Sequence, residues 1–364
     1  MPETAVVLNK RGSLSITDFA RPELGPDDGL LRVEVAGICK TDVDIVSGAF
    51  DTPLPLIMGH EIMGVIDEIG ERAAERWNVA RGDRVVVEPM AGCGSCRYCT
   101  AGAVRFCSTV VGYGTTISSQ RAPHLFGAYA TSMYLSPGSI VHKVPGSMSS
   151  EVAMLCTVAI SNGVRWTLGQ GGVVQGDDVV VQGVGPIGLS CLAAARSAGA
   201  RRVIAVGLAR DELGFSLAPR FGADLVVAAD RENVEEVVRH ETRGQRADVV
   251  VDTTGSPQSL ATSLRLVRPM GTVVSGGVTG KDTVTSLHMD QVTLNEIRLQ
   301  GVFTFDTNSV RRAIALAESD RFPFDELVTH RFKLRDVQKA IDKVADVKAT
   351  DRLKVVLDLT QGVD

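Results

Sequence analysis

The chain has 364 residues, 44% of them hydrophobic, and a formal net charge of −5 at pH 7. This length and composition predict two domains with ordinary hydrophobic cores. The sequence has no basic stripe for nucleic acid, no lysine-rich amphipathic helix for a membrane surface, and no run of eighteen apolar residues that would span a membrane. Because the first residues also lack the basic start and apolar run of a signal peptide, we expect a cytoplasmic protein.

The first part of the chain, up to about residue 150, is predicted to be rich in β-strands. Short apolar or alternating runs separated by Gly, Pro and Asp are typical of strands. These runs are Ala5–Leu8, Leu31–Val35, Ile62–Ile69 and Arg84–Val87. Long helical patterns are absent from this part of the sequence, which therefore predicts a β-rich domain.

Two potential metal ligands, a cysteine and a histidine, lie in this β-rich part, and a glutamate directly follows the histidine. A second cysteine, also a potential ligand, comes after the β-rich part. Cys39 comes after a predicted strand within AGICKTDVD, His60 and Glu61 precede one within MGHEIMG, and Cys156 lies in a helix predicted to begin near Ser149. Cys, His and Cys are three protein ligands that leave a fourth position open, the pattern of a catalytic zinc. Taken singly, each has an ordinary alternative: a small core cysteine, or a hydrogen-bonded structural histidine.

Four further cysteines lie close together in a glycine-rich segment. Cys93, Cys96, Cys99 and Cys107 form the pattern C-x-x-C-x-x-C-x7-C, and four thiolates can close a tetrahedral shell around zinc. An iron–sulfur cluster also uses four cysteines, although its usual spacings differ, and redox-active thiols are a further alternative. A closed shell leaves no position for a substrate, so a zinc ion here would hold the loop and take no part in chemistry.

From Ser149 onward the pattern changes to alternating strands and helices. The predicted strands are Val179–Val181, Val203–Val206, Leu225–Ala228, Val249–Asp252 and Thr272–Ser275. The predicted helices between them include Leu189–Ser197, Glu232–His240 and Pro257–Val267. This order predicts a parallel sheet with helices on both faces. The tail adds helices Ser309–Glu318 and Leu334–Val344 and a final strand, Leu353–Leu359.

The turn after the first of these strands reads GVGPIG and contains the G-x-G-x-x-G pattern of dinucleotide-binding folds. Gly183 permits the tight turn, Gly185 lets the backbone approach a pyrophosphate, and Gly188 lets the helix pack closely on the sheet. Free N–H groups and the positive dipole end of the helix then favour phosphate. An ordinary tight turn is the alternative, but strand, helix and strand within about thirty residues favour a nucleotide site.

The end of the second strand of this unit bears on the choice of cofactor. NAD enzymes of this type usually have an acidic residue there, about 20 residues past the glycines, that binds the ribose 2′-OH. Here the strand ends VIAVG, with Gly207 at that place and Arg210 close by. We therefore expect that NADP is accepted, and weakly that it is preferred. The alternatives are that Arg210 is an ordinary solvated arginine and that Asp211 partly takes over the acidic role.

Together these motifs resemble those of the zinc-dependent alcohol dehydrogenases in the medium-chain dehydrogenase/reductase superfamily. The matching pieces are GICKTD, GHEIMG, CGSCRYCTAGAVRFC, GVGPIG and the terminal LKVVLDL, in the family's order and over nearly the whole chain. The resemblance implies an α/β protein with a GroES-like β-rich catalytic domain, residues 1–155 completed by 303–364. It also implies a Rossmann dinucleotide-binding domain with a doubly wound parallel sheet over residues 156–302, an active site in the cleft, and a homodimer or homotetramer.

The resemblance also implies roles for single residues around the metal. Cys39, His60 and Cys156 would bind the catalytic zinc, and Glu61 would sit just behind the metal as an alternate or outer ligand. Asp42 would orient the His60 imidazole, which fixes its tautomer and basicity. Some relatives use glutamate as the third ligand, but none lies at that point in LCTVAIS.

Further roles concern the cofactor and the proton. Lys40 and Lys354 would contact the cofactor pyrophosphate, and Thr41 would hydrogen-bond the substrate oxygen. Other cofactor contacts are implied for Val184, Pro186, Ile187 and Thr253. The main departure from the family is Asp44, where many members have a histidine that ends a proton relay; an aspartate can also accept a proton.

The reaction that the resemblance implies is reversible oxidation of an alcohol, secondary or cyclic, to a ketone or aldehyde. Zinc acts as a Lewis acid in such enzymes, and the hydride passes to the nicotinamide of NAD(P). Thr41 would take the hydroxyl proton and pass it through the ribose hydroxyls to Asp44. The alternative is a zinc-stapled nucleotide-binding or structural protein with little turnover; the Cys39, His60 and Cys156 set with Thr41 favours chemistry.

Overall fold

The structure, a computed structural model, describes residues 2–360 and 362, so residues 1, 361, 363 and 364 of the predicted catalytic domain lie outside the described residues. In chain order the strands are β1 (Glu3–Lys10), β2 (Ser13–Phe19), β3 (Gly29–Ile38), β4 (Leu56–Ile57), β5 (Glu61–Ile69), β6 (Arg84–Val87), β7 (Met90–Ala91), β8 (Val111–Gly112), β9 (Ser132–Leu135), β10 (Val141–Lys143), β11 (Asp178–Gln182), β12 (Arg202–Gly207), β13 (Leu225–Ala228), β14 (Ala247–Asp252), β15 (Val267–Ser275), β16 (Arg298–Gly301), β17 (Val328–Phe332) and β18 (Lys354–Asp358).

The helices alternate with these strands most regularly in the second half of the chain. The α-helices are α1 (Lys40–Ser47), α2 (Glu71–Trp77), α3 (Arg97–Thr100), α4 (Ser150–Leu155), α5 (Ala159–Val164), α6 (Pro186–Ser197), α7 (Glu212–Leu217), α8 (Val234–Glu241), α9 (Pro257–Leu266), α10 (Met289–Leu294), α11 (Thr307–Glu318) and α12 (Val337–Ala345). A π-helical turn follows α5 at Arg165–Gln170, and short 3₁₀ turns lie at Val104–Phe106, Phe324–Leu327 and Leu334–Asp336. None of the helices formed by the described residues is both long and apolar enough to cross a membrane.

The chain forms two compact units, Met1–Thr157 with Phe324–Asp364, and Val158–Pro323. The second boundary lies later than the predicted residue 303, because α11 packs against α5 within the second unit. The side chain of Arg165 also holds the segment before α11, by hydrogen bonds to the backbone oxygens of Phe303 and Thr304.

The first unit is the predicted β-rich domain. Its larger sheet has the order β10-β6-β5-β3-β18-β17, with β9 also paired to β3, and a smaller sheet has the order β2-β1-β4. Apolar side chains of β1, β3, β5 and α12 contribute to one buried core. The last strand, β18, lies between β3 and β17, so the end of the chain completes the sheet.

The second unit contains a six-stranded, wholly parallel sheet with the order β13-β12-β11-β14-β15-β16. This is the doubly wound order of dinucleotide-binding folds, and the predicted α/β class is confirmed. The helix predicted from Ser149 is divided, because α4 ends at Leu155 and α5 begins at Ala159. Strand β15 begins at Val267, five residues before the predicted start at Thr272.

Candidate metal centre and nucleotide site

Three neighbouring strands of the first unit bring the metal-binding motifs together. Strand β3 runs directly into Cys39, and β5 begins at Glu61 immediately after His60. In the antiparallel register Gly37 of β3 faces Glu61, and Val355 of β18 faces Ile38. Residues that are distant along the chain therefore lie together at the end of β3 and the starts of β5 and β18.

At these strand ends the ligand atoms of Cys39, His60 and Glu61 lie within 4.8 Å of one another. The Cys39 backbone N–H donates to Asp42 Oδ2 at 2.8 Å, which fixes the start of α1. The Thr41 hydroxyl oxygen lies 3.7 Å from Cys39 Sγ, so a hydroxyl group stands beside the cluster. A thiolate, an imidazole and a carboxylate at such spacing are the donors that zinc prefers, and the residues fit that metal.

The imidazole of His60 lies beside the buried carboxylate of Asp42. His60 Nδ1 lies 3.4 Å from Asp42 Oδ1, and no hydrogen bond within the described residues satisfies either buried atom. Burial opposes the charge of the imidazole, but the negative charge of Asp42 outweighs it and raises the pKa of His60. Burial likewise opposes ionisation of Cys39, but hydrogen bonding with His60 lowers the pKa of that thiol. These shifts favour a thiolate at Cys39 but a protonated imidazole at His60, so a metal that binds here must displace the His60 proton, because zinc binds neutral imidazole.

Cys156, the predicted third ligand, does not join this group. It is the C-cap residue of α4, and its buried thiol donates to the backbone oxygen of Val152 at 3.4 Å. Burial raises the pKa of this thiol, which favours its neutral form. Glu61, expected as an alternate or outer ligand, lies with Cys39 and His60, and a metal-binding role of Cys156 stays a prediction.

The two lysines predicted at the pyrophosphate have other partners in the structure. Lys354 is buried, and its Nζ donates to Glu61 Oε1 at 2.5 Å. Burial opposes the ammonium charge, but Glu61 outweighs it and raises the pKa of Lys354. Lys40 forms an ion pair with Asp44 one turn further along the exposed face of α1. The sequence analysis predicted neither contact; the first depends on strand register, and the second is an i, i+4 pair on one helix face.

Tyr129 is a residue near the metal centre that sequence reasoning missed. It is fully buried, and its hydroxyl donates to the backbone oxygen of Gly37 at 3.4 Å. A Cβ added at Gly59 would lie 2.5 Å from the Tyr129 ring, so the ring covers the turn before His60. Burial and the charge of Asp42 raise the pKa of this phenol. The segment GAYA carries no recognisable motif that would have singled it out.

The four-cysteine loop is assembled as its spacing predicts. The sulfur atoms of Cys93, Cys96, Cys99 and Cys107 lie within 4.8 Å of one another, and the backbone N–H of Cys96 donates to Cys93 Sγ at 3.4 Å. Backbone hydrogen bonds lower the pKa of Cys93 to about 6, whereas desolvation raises that of Cys99 to about 12. Because backbone N–H groups stabilise anionic sulfur, this shell also fits a zinc ion.

The glycine turn of the second unit has the geometry that close approach requires. Gly183 has φ +101°, and a Cβ added at Gly188 would lie 1.9 Å from the Gly183 backbone oxygen. A Cβ at Gly185 would meet nothing within 4 Å, so the space before α6 is open. Helix α6 begins at Pro186 without a side-chain cap, and its first N–H groups can serve a phosphate. Thr253 lies beside this turn and donates to the backbone oxygen of Gln182 at 2.9 Å.

A cavity of about 660 Å³ continues from this turn along the ends of β12 and β13. Its lining includes Gly183, Gly207, Arg210 and Asp211, so the structure brings together the residues predicted to decide cofactor choice. A Cβ at Gly207 would lie 2.6 Å from the Phe215 ring, which leaves no room for a side chain. Val184 packs on the other side of Gly207, and Ile187 lies in the first turn of α6.

Known proteins resemble both halves of the chain. Residues 25–146 match the alcohol dehydrogenase GroES-like domain, and residues 186–319 match the zinc-binding dehydrogenase family. The probable alcohol dehydrogenase adh of Mycobacterium tuberculosis is 36% identical over 94% of each chain. The erythritol/L-threitol dehydrogenase of Mycolicibacterium smegmatis is 32% identical over 97% of each chain. A Sinorhizobium meliloti protein described as a zinc-binding dehydrogenase, solved bound to NADP, superposes with a TM-score of 0.87 at 27% identity, covering 98% of this chain and 99% of its own.

Proposed function

The chain belongs to the zinc-dependent alcohol dehydrogenase family of the medium-chain dehydrogenases/reductases, and from that premise we propose that it oxidises a secondary alcohol reversibly to a ketone. It is an alcohol oxidoreductase that uses zinc and NAD(P). The observation that carries the proposal is the cluster of Cys39, His60 and Glu61, with the Thr41 hydroxyl 3.7 Å from Cys39 Sγ. These residues offer metal ligands and a proton acceptor at one place.

Two loops of the first unit support a substrate of modest polarity. Thr52 donates to the backbone oxygen of Thr115, and the Ser118 hydroxyl donates to that of Pro55 at 2.9 Å. The donor hydrogens of these two hydroxyls are therefore already used within the protein. We accordingly favour a secondary or cyclic alcohol with few other hydroxyls, although several relatives at 30–32% identity are named for erythritol and L-threitol, D-xylulose or sorbitol.

Absorbance of the reduced nicotinamide tests both parts of this proposal. Zinc-loaded protein would be assayed with 2-butanol, cyclohexanol, erythritol and sorbitol, with both cofactors and in both directions. We expect turnover with the first two alcohols and a lower kcat/KM for the polyols. A preference for erythritol or sorbitol would overturn the substrate class, and a lack of turnover with every alcohol would favour a nucleotide-binding protein with little activity.

We propose that Glu61, and not Cys156, completes the catalytic zinc site. The thiolate of Cys39 and the carboxylates of Asp42 and Glu61 would carry three negative charges, which balance a divalent ion and the Lys354 ammonium. A further thiolate at Cys156 would unbalance this buried site. Zinc content measured by elemental analysis should therefore fall in Glu61→Gln and stay at the wild-type value in Cys156→Ala; the reverse pattern would restore Cys156 as the ligand.

The protein's own groups would then handle orientation and proton transfer. Zinc, when bound, supplies Lewis acidity to the substrate hydroxyl. Asp42 holds the His60 ring from the far side, and the Thr41 hydroxyl can both accept and donate a proton. We propose Asp44 as the outer proton acceptor; it forms an ion pair with Lys40 on the exposed face of α1.

We propose two zinc ions per chain with unequal roles. The four-cysteine shell of Cys93, Cys96, Cys99 and Cys107 would hold its loop, and the centre at Cys39 would serve catalysis. Structural zinc in a thiolate shell contributes on the order of 10 kcal/mol to folding, so its loss should destabilise the folded structure of the loop. Elemental analysis of metal-replete protein should give two zinc ions per chain, and a value of one or fewer would contradict the proposal.

We further propose that NADP is accepted and weakly preferred. Gly207 has no space for the acidic side chain that binds a ribose 2′-OH, and Arg210 lines the same cavity. The carboxylate of Asp211 is already bonded to the Leu208 backbone N–H at 2.8 Å. Arg210→Ala should weaken NADPH and spare NADH, whereas Asp211→Asn, which can keep the backbone bond, should change neither strongly. A hundredfold higher kcat/KM for NAD in the wild type would refute the preference.

A homodimer or homotetramer is also proposed, together with a reducing, cytoplasmic location. Strand β16 is an edge strand of its sheet, and Leu299 on it is partly exposed. Met270, Leu294 and Val284 add large exposed apolar side chains in the same unit, a pattern that favours a contact with a second copy. Light scattering of wild type and Leu294→Glu tests this contact; an unchanged oligomer would contradict it. The seven cysteines carry free thiols, as a reducing compartment allows.

A further inference from the structure

Arg165 is a buried arginine in the second unit whose hydrogen bonds all reach one segment. Only 6% of the residue is exposed, and it opens the π-helical turn after α5. Its Nη1 donates to the backbone oxygens of Phe303 and Thr304 at 3.0 and 2.6 Å, and its Nε donates to Asp306 Oδ2 at 3.1 Å. Burying a guanidinium is costly, and burial lowers the pKa of Arg165 despite the opposing charge of Asp306.

Trp166, the next residue, extends the same contact to a second segment. Its indole N–H donates to the Thr304 backbone oxygen at 3.3 Å. A Cβ added at Gly276 would lie 2.3 Å from the Trp166 ring, so the ring rests directly on that glycine. Arg165 and Trp166 therefore both bond to residues 303–306, which follow β16, and the Trp166 ring also contacts Gly276, which follows β15.

These two segments lie at the carboxyl ends of their strands and join their neighbours. The Gly276 backbone N–H donates to the oxygen of Asp252, the last residue of β14, at 3.0 Å. The Val302 N–H donates to the oxygen of Ser275, the last residue of β15, at 3.0 Å. The carboxyl ends of β14, β15 and β16 thus form one continuous surface, the side of a doubly wound sheet on which ligands bind.

The direction of a bound dinucleotide follows from the glycine turn and the cavity. The turn at Gly183 follows the central strand β11, and the cavity lies on the β12 and β13 side of it. With the pyrophosphate at the turn and the adenosine half in the cavity, the remaining half must run over β14, β15 and β16. We propose that Arg165 is a positioning residue that holds residues 303–306 in place for the nicotinamide half of the cofactor, while the neighbouring Trp166 supports Gly276. This inference rests on the proposed dinucleotide site.

Comparing a whole cofactor with its fragment isolates the role of Arg165. NADPH and 2′-phospho-ADP-ribose, or NADH and ADP-ribose if NADPH does not bind, share the adenosine half and the pyrophosphate. Calorimetry would measure both ligands on wild type and Arg165→Met. In Arg165→Met the surface that receives the nicotinamide should be disordered. Its affinity for the dinucleotide should fall by about tenfold, because binding must then order that surface. The fragment should bind within about twofold of wild type, since its contacts lie elsewhere.

A second arginine of the same unit provides the matched control. Arg196 donates to the backbone oxygens of Gly222 and Ala200 at 2.8 and 3.1 Å and to Asp224 at 2.6 Å, but at the opposite ends of the strands. Arg196→Met should lower the melting temperature without changing the ratio of the two affinities. An Arg165 with a purely structural role would give the same result as Arg196, and that outcome would overturn the proposal.

Milder variants keep the test decisive if Arg165→Met fails to fold. Arg165→Lys keeps the positive charge but loses the branched guanidinium that makes several hydrogen bonds. Asp306→Asn loses the negative charge but can still accept the hydrogen bond from the Ser309 N–H, which is 2.8 Å long in the structure, at the start of α11. Both should weaken the dinucleotide and spare the fragment. Equal weakening of both ligands, or of neither, would refute the role of Arg165. Wild type that binds neither ligand would instead remove the dinucleotide site, and with it this inference.

Discussion

Replacing Lys354 by methionine removes one charge from the buried ion pair beside the metal centre. Lys354 is 7% exposed and Glu61 is 1% exposed, so neither group is solvated. Methionine keeps most of the apolar stem, but the Glu61 carboxylate loses the ammonium 2.5 Å away. Removing one partner of a buried pair costs about 3–5 kcal/mol, because the other charge remains buried without compensation.

The structure supplies a matched surface pair for comparison. Lys343 donates to Asp351 at 2.8 and 2.9 Å in the same unit, but the Asp351 side chain is 63% exposed. Exposed pairs contribute about 0–1 kcal/mol, so Lys343→Met should change stability little. For a unit of about 200 residues, the loss in Lys354→Met corresponds to a melting temperature lower by about 6–20 °C.

Tryptophan fluorescence can follow the first unit alone. The chain has two tryptophans, and in a Trp166→Phe background the buried Trp77 reports on the unit that contains Lys354. Melting would be measured after chelation and again with zinc. If Glu61 is the third ligand, bound zinc balances its negative charge. The difference in melting temperature between the Lys354→Met variant and its parent, which keeps Lys354, should then be smaller with zinc than after chelation.

Two results would refute this reasoning. In metal-free protein, a free energy of unfolding of Lys354→Met within about 1 kcal/mol of its parent would mean that the Glu61 charge is not left buried without compensation. A difference that zinc leaves unchanged would mean that Glu61 does not bind the metal. The double variant Glu61→Met with Lys354→Met removes both charges and should recover most of the lost stability.

Three further perturbations test other parts of the molecule. Thr41→Val should lower kcat by about 10²–10⁴-fold with unchanged cofactor affinity, and Thr41→Ser should keep most activity; near-wild-type turnover in the valine variant would end the relay role. Cys99→Ser should reduce the zinc content by one ion per chain and destabilise the loop, and an unchanged content would contradict the four-sulfur shell. Gly207→Ala should lower stability by about 1–3 kcal/mol in urea unfolding, because its methyl group would meet Phe215 at 2.6 Å; an unchanged midpoint would show that the ring can move aside.

The sequence by itself determined the features that depend on neighbouring residues. The alternation of strands and helices after Ser149 determined the parallel sheet, and the glycines from Gly183 to Gly188 determined the turn before α6. The cysteines from Cys93 to Cys107 also lie within one short segment, so their spacing alone brings the sulfur atoms together. Local periodicity and local chain geometry carry this information directly.

Only the tertiary structure decided which distant side chains meet at the metal centre. The pairing of β3 with β5 and β18 places Glu61 and Lys354 beside Cys39, and a register slip of one residue would turn them to the other face. At the end of α4 the Cys156 thiol donates to the backbone oxygen of Val152, a contact that the motif did not predict. Such contacts depend on strand register and on side-chain direction, and neither property is encoded in the spacing of residues along the chain.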